Sequence, residues 1–390
     1  MTIKLYDEQP YGTEFEAVVT GCIENEDGIW AELDRTLFFP EEGGQSPDKG
    51  VLKLQGGETI DVLDVQIHDG LILHKIDRAV PSGSAVSGRI DWKHRFNNMQ
   101  QHSGEHIFSG IVNKRFGYDN VGFHLSDNEV TMDYNGVLTK EELLEIEHDV
   151  NEAIIRNVPI RCWYPSAAEL KQIPYRSKKE IDGDVRIVKI GEYDTCACCA
   201  PHVRTTAEIG MLKVVGFQSH KGGVRVWILC GFRALEEFNR VEDAATVVSR
   251  EYSVPVSEEA FAGAIAKKNE NAVKLKARVE SLQKSLMDVQ LKSIAADVDS
   301  VTLFVEGIDE IQKRSVLNEL VTKHAGFCSV FDGNDEDGYS FIIASANMNC
   351  NDIVKLLKEK LGARGGGKPI MVQGSVKASK EQIESCIIPE

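Results

Sequence analysis

At 390 residues, 42% hydrophobic and 27% charged, the chain exceeds what one ordinary core holds and reads as two or three soluble globular units. Its formal charge of −17 opposes non-specific attraction to polyanions, so a nucleic-acid partner has to be held by local basic patches. No window approaches the roughly 18 uninterrupted apolar residues of a membrane span. The N-terminal MTIKLYDEQPYGTEFEAVV also lacks the basic start and apolar middle of a signal peptide, so no membrane association and a cytoplasmic location are expected.

Residues 1 to about 90 carry short β-type runs, EAVVTGCI, GIWAEL, DVLDVQI and LILHKI, cut by Gly, Asp and Pro, which predicts a β-barrel-like domain. From Trp92 the spacing turns helical through Met99, His102, His106, Ile107 and Ile111, and Thr139 to Arg156 reads as a second amphipathic helix. With the strand-like VTMDY, VRIVKI, LKVVGFQ and VRVWILCGF, residues 91–240 read as a helix-plus-sheet α+β domain. Residues 255–297 space Ala272, Leu275, Val279, Leu282, Leu286 and Val289 by threes and fours. That pattern suits either a short coiled coil or a helix packed on its own domain. Residues 298–390 alternate strands and helices and predict a small α/β unit. Basic candidates for a nucleic-acid surface are Lys93, His94 and Arg95, then Arg176, Lys178 and Lys179, then Lys221 and Arg225.

The chemistry concentrates in two segments. In QQHSGEHIF, His102 and His106 lie four apart in a helical pattern, which puts both imidazoles on one face. In TCACCAPH, Cys198 and His202 lie four apart, and the two halves together make a donor set suited to tetrahedral zinc. Spacing alone leaves the thiolate open among Cys196, Cys198 and Cys199. Nine cysteines with three in one short segment argue for free thiols and a metal rather than a disulfide framework. The metalloprotease motif needs a glutamate directly after the first histidine, where Ser103 stands, so that reading is disfavoured. Glu105, just before His106, is a candidate to orient a ligand or a water. The glycine-rich TLFFPEEGGQSPDKG and RGGGKPIMVQG match no nucleotide fingerprint, and no nucleotide cofactor is expected.

Four segments in this order, TLFFPEEGGQ, RFNNMQQHSGEH, CCAPHVRTTAEIG and ARGGGKPIMVQG, resemble the long, AlaX-L-like alanyl-tRNA editing proteins, relatives of the editing and C-terminal domains of alanyl-tRNA synthetase. The resemblance spans nearly the whole chain. It implies a zinc-dependent deacylase that removes chiefly serine, with glycine as a second substrate, from mischarged tRNA(Ala). It implies His102, His106, Cys198 and His202 as the ligands of Zn2+, which selects Cys198 from its neighbours. Thr36 is implied as the reader of the serine hydroxyl, and Arg364, Gly365, Gly366, Gly367 and Lys368, in a C-terminal domain of the kind also found in DHH phosphoesterases, as tRNA-binding or as support for a homodimer. Two departures stand out. CCAPH replaces the synthetases' CGGTH, and DNVGFHLSD lacks a glutamine often found there, so the choice between serine and glycine does not transfer. The alternatives are a non-catalytic tRNA-binding protein with a structural zinc and, less favoured, a phosphoesterase, for which the aspartate cluster is missing.

Overall fold

The structure, a computed structural model, describes residues 2–177 and 183–387. The chain forms two units, Met1–Val247 and Val248–Glu390, each of mixed α+β class. The stretches expected over 1–90 and 91–240 share the first unit, and the long helix and final α/β stretch share the second.

In the first unit, strands Glu14–Asn25, Gly28–Leu33, Leu71–Ile76, Thr59–His68, Gly50–Leu54 and Ala85–Ile90 pair in that order and close into a barrel. The reason is a two-residue alternation: in the first strand Phe15, Ala17 and Val19 are buried while Glu14, Glu16 and Val18 are exposed. The inward set packs around Leu33, Phe38, Leu52, Ile60, Val65 and Val86.

Helix Trp92–Phe116 follows at once, started by Asp91, which accepts the His94 N–H at 3.1 Å, and stopped by Gly117 in a left-handed conformation at φ 73°. It is buried on nearly every side, under a four-stranded sheet (Leu212–His220, Gly223–Cys230, Val130–Tyr134, Asn120–Leu125) and helix Lys140–Ile155. A three-stranded sheet, Ile160–Trp163, Ile187–Ile190 and Asp194–Ala197, completes the unit. Two glycines allow the close approach. A Cβ on Gly104 would stand 2.4 Å from Cys230 Sγ, and one on Gly110 would stand 2.3 Å from the Tyr193 carbonyl.

Arg95 corrects one expectation: it is wholly buried rather than part of a basic surface. Its Nε donates to both oxygens of buried Asp48 at 3.0 Å, and its Nη1 donates to the Pro10 carbonyl at 3.0 Å. Asp48 also accepts the Phe39 N–H at 2.7 Å, so this ion pair clamps the 36–48 segment onto the helix. Arg225 likewise spends its charge on Asp133, and Lys178 and Lys179 lie outside the described residues.

In the second unit, helix Glu258–Ser293 is capped by Ser257 and exposes the stripe Leu275, Val279, Leu282, Leu286 and Val289, so nothing in its own unit covers that face. Off the stripe, Met287 enters the small core with Leu303, Leu317 and Val330, and half-buried Leu291 packs against it. The sheet runs Val301–Val305, Cys328–Asn334, Gly338–Ala344, Met371–Val376, Arg364–Lys368, with the last strand exposed at the edge along its whole length. Among the described residues no helix is long and apolar enough to cross a membrane.

Candidate metal centre

The histidine helix and the 198–202 loop bring four donors together. His102, His106, Cys198 and His202 place one ligand atom each within 4.8 Å of the others, and the three histidines are buried. Cys198 Sγ lies 3.5 Å from His102 Nε2 and 3.4 Å from His202 Nε2. Zinc bonds of about 2.1 Å to nitrogen and 2.3 Å to sulfur at tetrahedral angles put donors roughly 3.5 Å apart, so the set fits that ion.

Each imidazole is held from behind. His102 Nδ1 donates to Gln45 Oε1 at 2.8 Å, His106 Nδ1 to Asp194 Oδ2 at 2.8 Å, and His202 Nδ1 to Ser103 Oγ at 3.0 Å. With Nδ1 held in this way, Nε2 is the nitrogen each ring offers to the thiolate side, the one a metal would take with loss of any proton it carries. Asp194 is fixed in turn by Arg176, whose Nε and Nη2 donate at 2.8 and 3.0 Å. Arg176 therefore serves the centre and not a surface patch. Gly110 is what lets the Tyr193–Asp194 turn come this close to the helix.

The electrostatics suit a thiolate ligand. Burial would raise the Cys198 thiol, but His102 and His202 beside it hold it well below its ordinary value. Burial pushes His202 down to about 3, against the pull of Cys198. Burial also opposes charge on His106, yet Asp194 and Cys198 raise it well above its usual range. Burial drives Cys196 up to about 11, and Cys199 higher still. All nine cysteines are free.

Glu105 is buried one residue from His106 with its Oε2 4.0 Å from His106 Nε2, while its Oε1 accepts from Ser109 Oγ and Asn120 Nδ2, both at 2.6 Å. Thr36 is buried at the end of the short strand Arg35–Thr36, which pairs with Ile3–Lys4 outside the barrel, and it reaches a barrel residue through its side chain. His74 Nδ1 donates to the Ala31 carbonyl, so its Nε2 accepts from the Thr36 hydroxyl at 2.9 Å, and that oxygen accepts the Phe38 N–H at 3.0 Å. Its hydroxyl partners are thus His74 and Phe38, not a residue of the four-donor cluster. Arg364 to Lys368 belong to the second unit.

The open side of the centre is the glycine loop. Gly43 and Gly44 are exposed, Cys198, Cys199 and Phe123 are half-buried, and the Phe123 ring stands 4.8 Å from that of His102. Gly44, at φ 85°, would press a Cβ within 2.3 Å of the Phe123 carbonyl. Sequence reading placed a turn here but missed Gln45 as the partner of His102, and nothing in local spacing pointed to Asp194 or Ser103.

Residues 185–226, which contain Cys198 and His202, match the family model described as the threonyl and alanyl tRNA synthetase second additional domain, and residues 12–94 match that of class II (A) tRNA synthetases. The alanyl-tRNA editing protein AlaX-L of Pyrococcus horikoshii is 29% identical over 98% of this chain and 96% of its own length. The chain is a relative of the alanyl-tRNA editing proteins. The alanine–tRNA ligase of Pyrococcus abyssi is 31% identical over 99% of this chain, which spans only 43% of the ligase. A C-Ala domain from the Aquifex aeolicus alanyl-tRNA synthetase aligns with 23% of this chain and 86% of its own at 18% identity and a TM-score of 0.20.

Proposed function

We propose that this protein is a zinc-dependent aminoacyl-tRNA hydrolase that clears mischarged tRNA(Ala), chiefly seryl-tRNA(Ala) and also glycyl-tRNA(Ala). The observation that carries this reading is the convergence of three imidazoles and one cysteine sulfur with ligand atoms within 4.8 Å of one another, each imidazole held by another residue. When bound, zinc supplies a Lewis acid for the ester carbonyl and acidifies water near neutral pH. The chain's own part is to orient. Gln45, Asp194 and Ser103 fix the imidazole planes, and Glu105, held by Ser109 and Asn120, keeps a carboxylate beside His106. In this reading the terminal adenosine brings its ester to the centre past the exposed Gly43–Gly44 backbone. Products are free amino acid and uncharged tRNA.

Thr36 reads the serine hydroxyl in this scheme by accepting from it on the lone pair that the Phe38 N–H leaves open, its own hydrogen staying on His74. Thr36→Val should then change the ratio of serine to alanine release, and an unchanged ratio removes the role. The exposed edge strand Arg364–Lys368 contributes contact to the tRNA, with its two basic ends and three side-chain-free positions between them.

Four protein ligands, with the histidines buried, also match a closed structural zinc, which favours a non-catalytic tRNA-binding protein as the second reading. Release of serine from seryl-tRNA(Ala) decides between them, comparing wild type, metal-stripped protein and His102→Ala, each checked by circular dichroism. Loss of release in folded, metal-free protein supports the hydrolase. No release by zinc-loaded wild type leaves the binding protein.

A further inference from the structure

Beside the metal centre lies a second polar group that the hydrolase reading has not used. Glu42 and Gln45 are tied to each other through their backbones, Gln45 N–H to the Glu42 carbonyl at 3.1 Å and Glu42 N–H to the Gln45 carbonyl at 3.3 Å. The loop thus holds two side chains at fixed places. Gln45 stands behind His102, and Glu42 precedes Gly43, where a Cβ would stand 3.4 Å from the Sγ of Cys199, the neighbour of Cys198. Yet Glu42 Oε2 is buried with no hydrogen-bond partner among the described residues. The same holds for the hydroxyl of Tyr6, a residue only 1% exposed, packed edge-on against Phe39 at 5.4 Å and within electrostatic reach of both Glu42 and Cys199.

Two buried oxygens without partners, each within electrostatic reach of the other, are costly, and the cost is lifted when a donor arrives. A carboxylate oxygen asks for a charged donor, and an ammonium carries three N–H groups, enough for both oxygens at once. In an aminoacyl ester the α-ammonium sits one carbon from the carbonyl that the metal centre would address. The group that holds it must therefore lie within a few ångströms of the ligands and outside their ring. The Glu42–Gly43 stretch, lying against Cys199 next to the ligand Cys198, is at that edge of the donor set.

We propose that Glu42, assisted by the Tyr6 hydroxyl, is the subsite for the α-ammonium of the aminoacyl group, so the site selects aminoacyl esters over acyl esters in general. The inference rests on the hydrolase reading. It makes Glu42 a binding residue and leaves the ester chemistry to the metal centre.

The test uses two hydrolysis-resistant amides on the zinc-loaded full chain, read by calorimetry. One is 3′-serylamino-3′-deoxyadenosine, and the other is the matched 3-hydroxypropanoyl compound, which lacks only the ammonium. Wild type should bind the first more tightly, and Glu42→Gln should weaken the first by roughly 10- to 100-fold while leaving the second within about twofold. Tyr6→Phe should weaken the first by a few-fold and serves if Glu42→Gln fails to hold zinc. Equal affinity of wild type for the two compounds overturns the subsite, as does a Glu42→Gln loss shared by both. Wild type that binds neither compound overturns the aminoacyl-ester reading itself, and the subsite with it.

Discussion

Two long helices of this chain invert the ordinary rule of burial. Trp92–Phe116 hides Arg95, Asn98, Gln100, Gln101, His102, Ser103, Glu105, His106 and Ser109, whereas Glu258–Ser293 exposes Leu275, Val279, Leu282, Leu286 and Val289. A buried polar side chain is tolerated only when its donors and acceptors are met, and in the first helix they largely are. Gln101, for example, bonds both the carbonyl and the N–H of Cys230, at 2.8 and 2.6 Å. An exposed apolar stripe gains nothing from water and marks a face kept for something else. The first helix thus spends polarity inward on a site, and the second presents apolarity outward.

The largest expected effect breaks the inward half at its anchor. Arg95→Met leaves Asp48 buried without its cation and should cost about 3–5 kcal/mol of stability, read as a fall in the urea midpoint. It should also lower zinc affinity, because the same pair clamps the segment that carries Gln45. Unchanged stability would mean that the pair is not buried as the structure places it.

Next comes the barrel, which hides a polar pair of its own. Burial depresses His74 from 6.5 to about 4. Between those values the unfolded chain binds a proton that the folded chain refuses. The stability that neutral His74 protects is therefore fully present above pH 6.5 and is lost as pH falls toward 4, by about 3 kcal/mol. The urea midpoint of wild type should fall across that window relative to His74→Gln, and parallel curves would refute the assignment.

A somewhat smaller effect is expected one step from the ligands. Asp194→Asn keeps size but weakens the acceptor that aims His106, and zinc affinity should drop roughly 10- to 100-fold, about 1.4–2.7 kcal/mol. Gly110→Ala should act in the same direction by pushing the Tyr193–Asp194 turn away from the helix. Competition with a chromogenic chelator measures both, and wild-type affinity in Asp194→Asn would remove the positioning role.

These residues also show what the sequence makes legible. Periodicity located the barrel strands, the histidine helix and the long exposed helix, because burial on one face writes itself into spacing. Spacing of four likewise marked His102 with His106 and Cys198 with His202. Gln45, Asp194 and Ser103 escaped because each reaches its histidine across tens of residues through a side chain with no periodic partner. Arg95 and Arg176 were misread for a related reason: a charge reads as surface until the carboxylate that neutralises it is located in space.

The smallest expected effect concerns the outward half and sharpens the contrast most. Replacing Leu275 and Leu282 by Gln removes apolar surface that is 66% and 52% exposed, so the single chain should change by less than about 0.5 kcal/mol per site. The same pair of substitutions at buried positions of the first helix would unfold it. If the stripe is the seam of a homodimer, the double variant should sediment as a monomer at concentrations where wild type does not, with the urea midpoint of the first unit unaltered. A wild type that is already monomeric at high micromolar concentration excludes the homodimer. The face would then be kept for a partner other than a second copy of the chain.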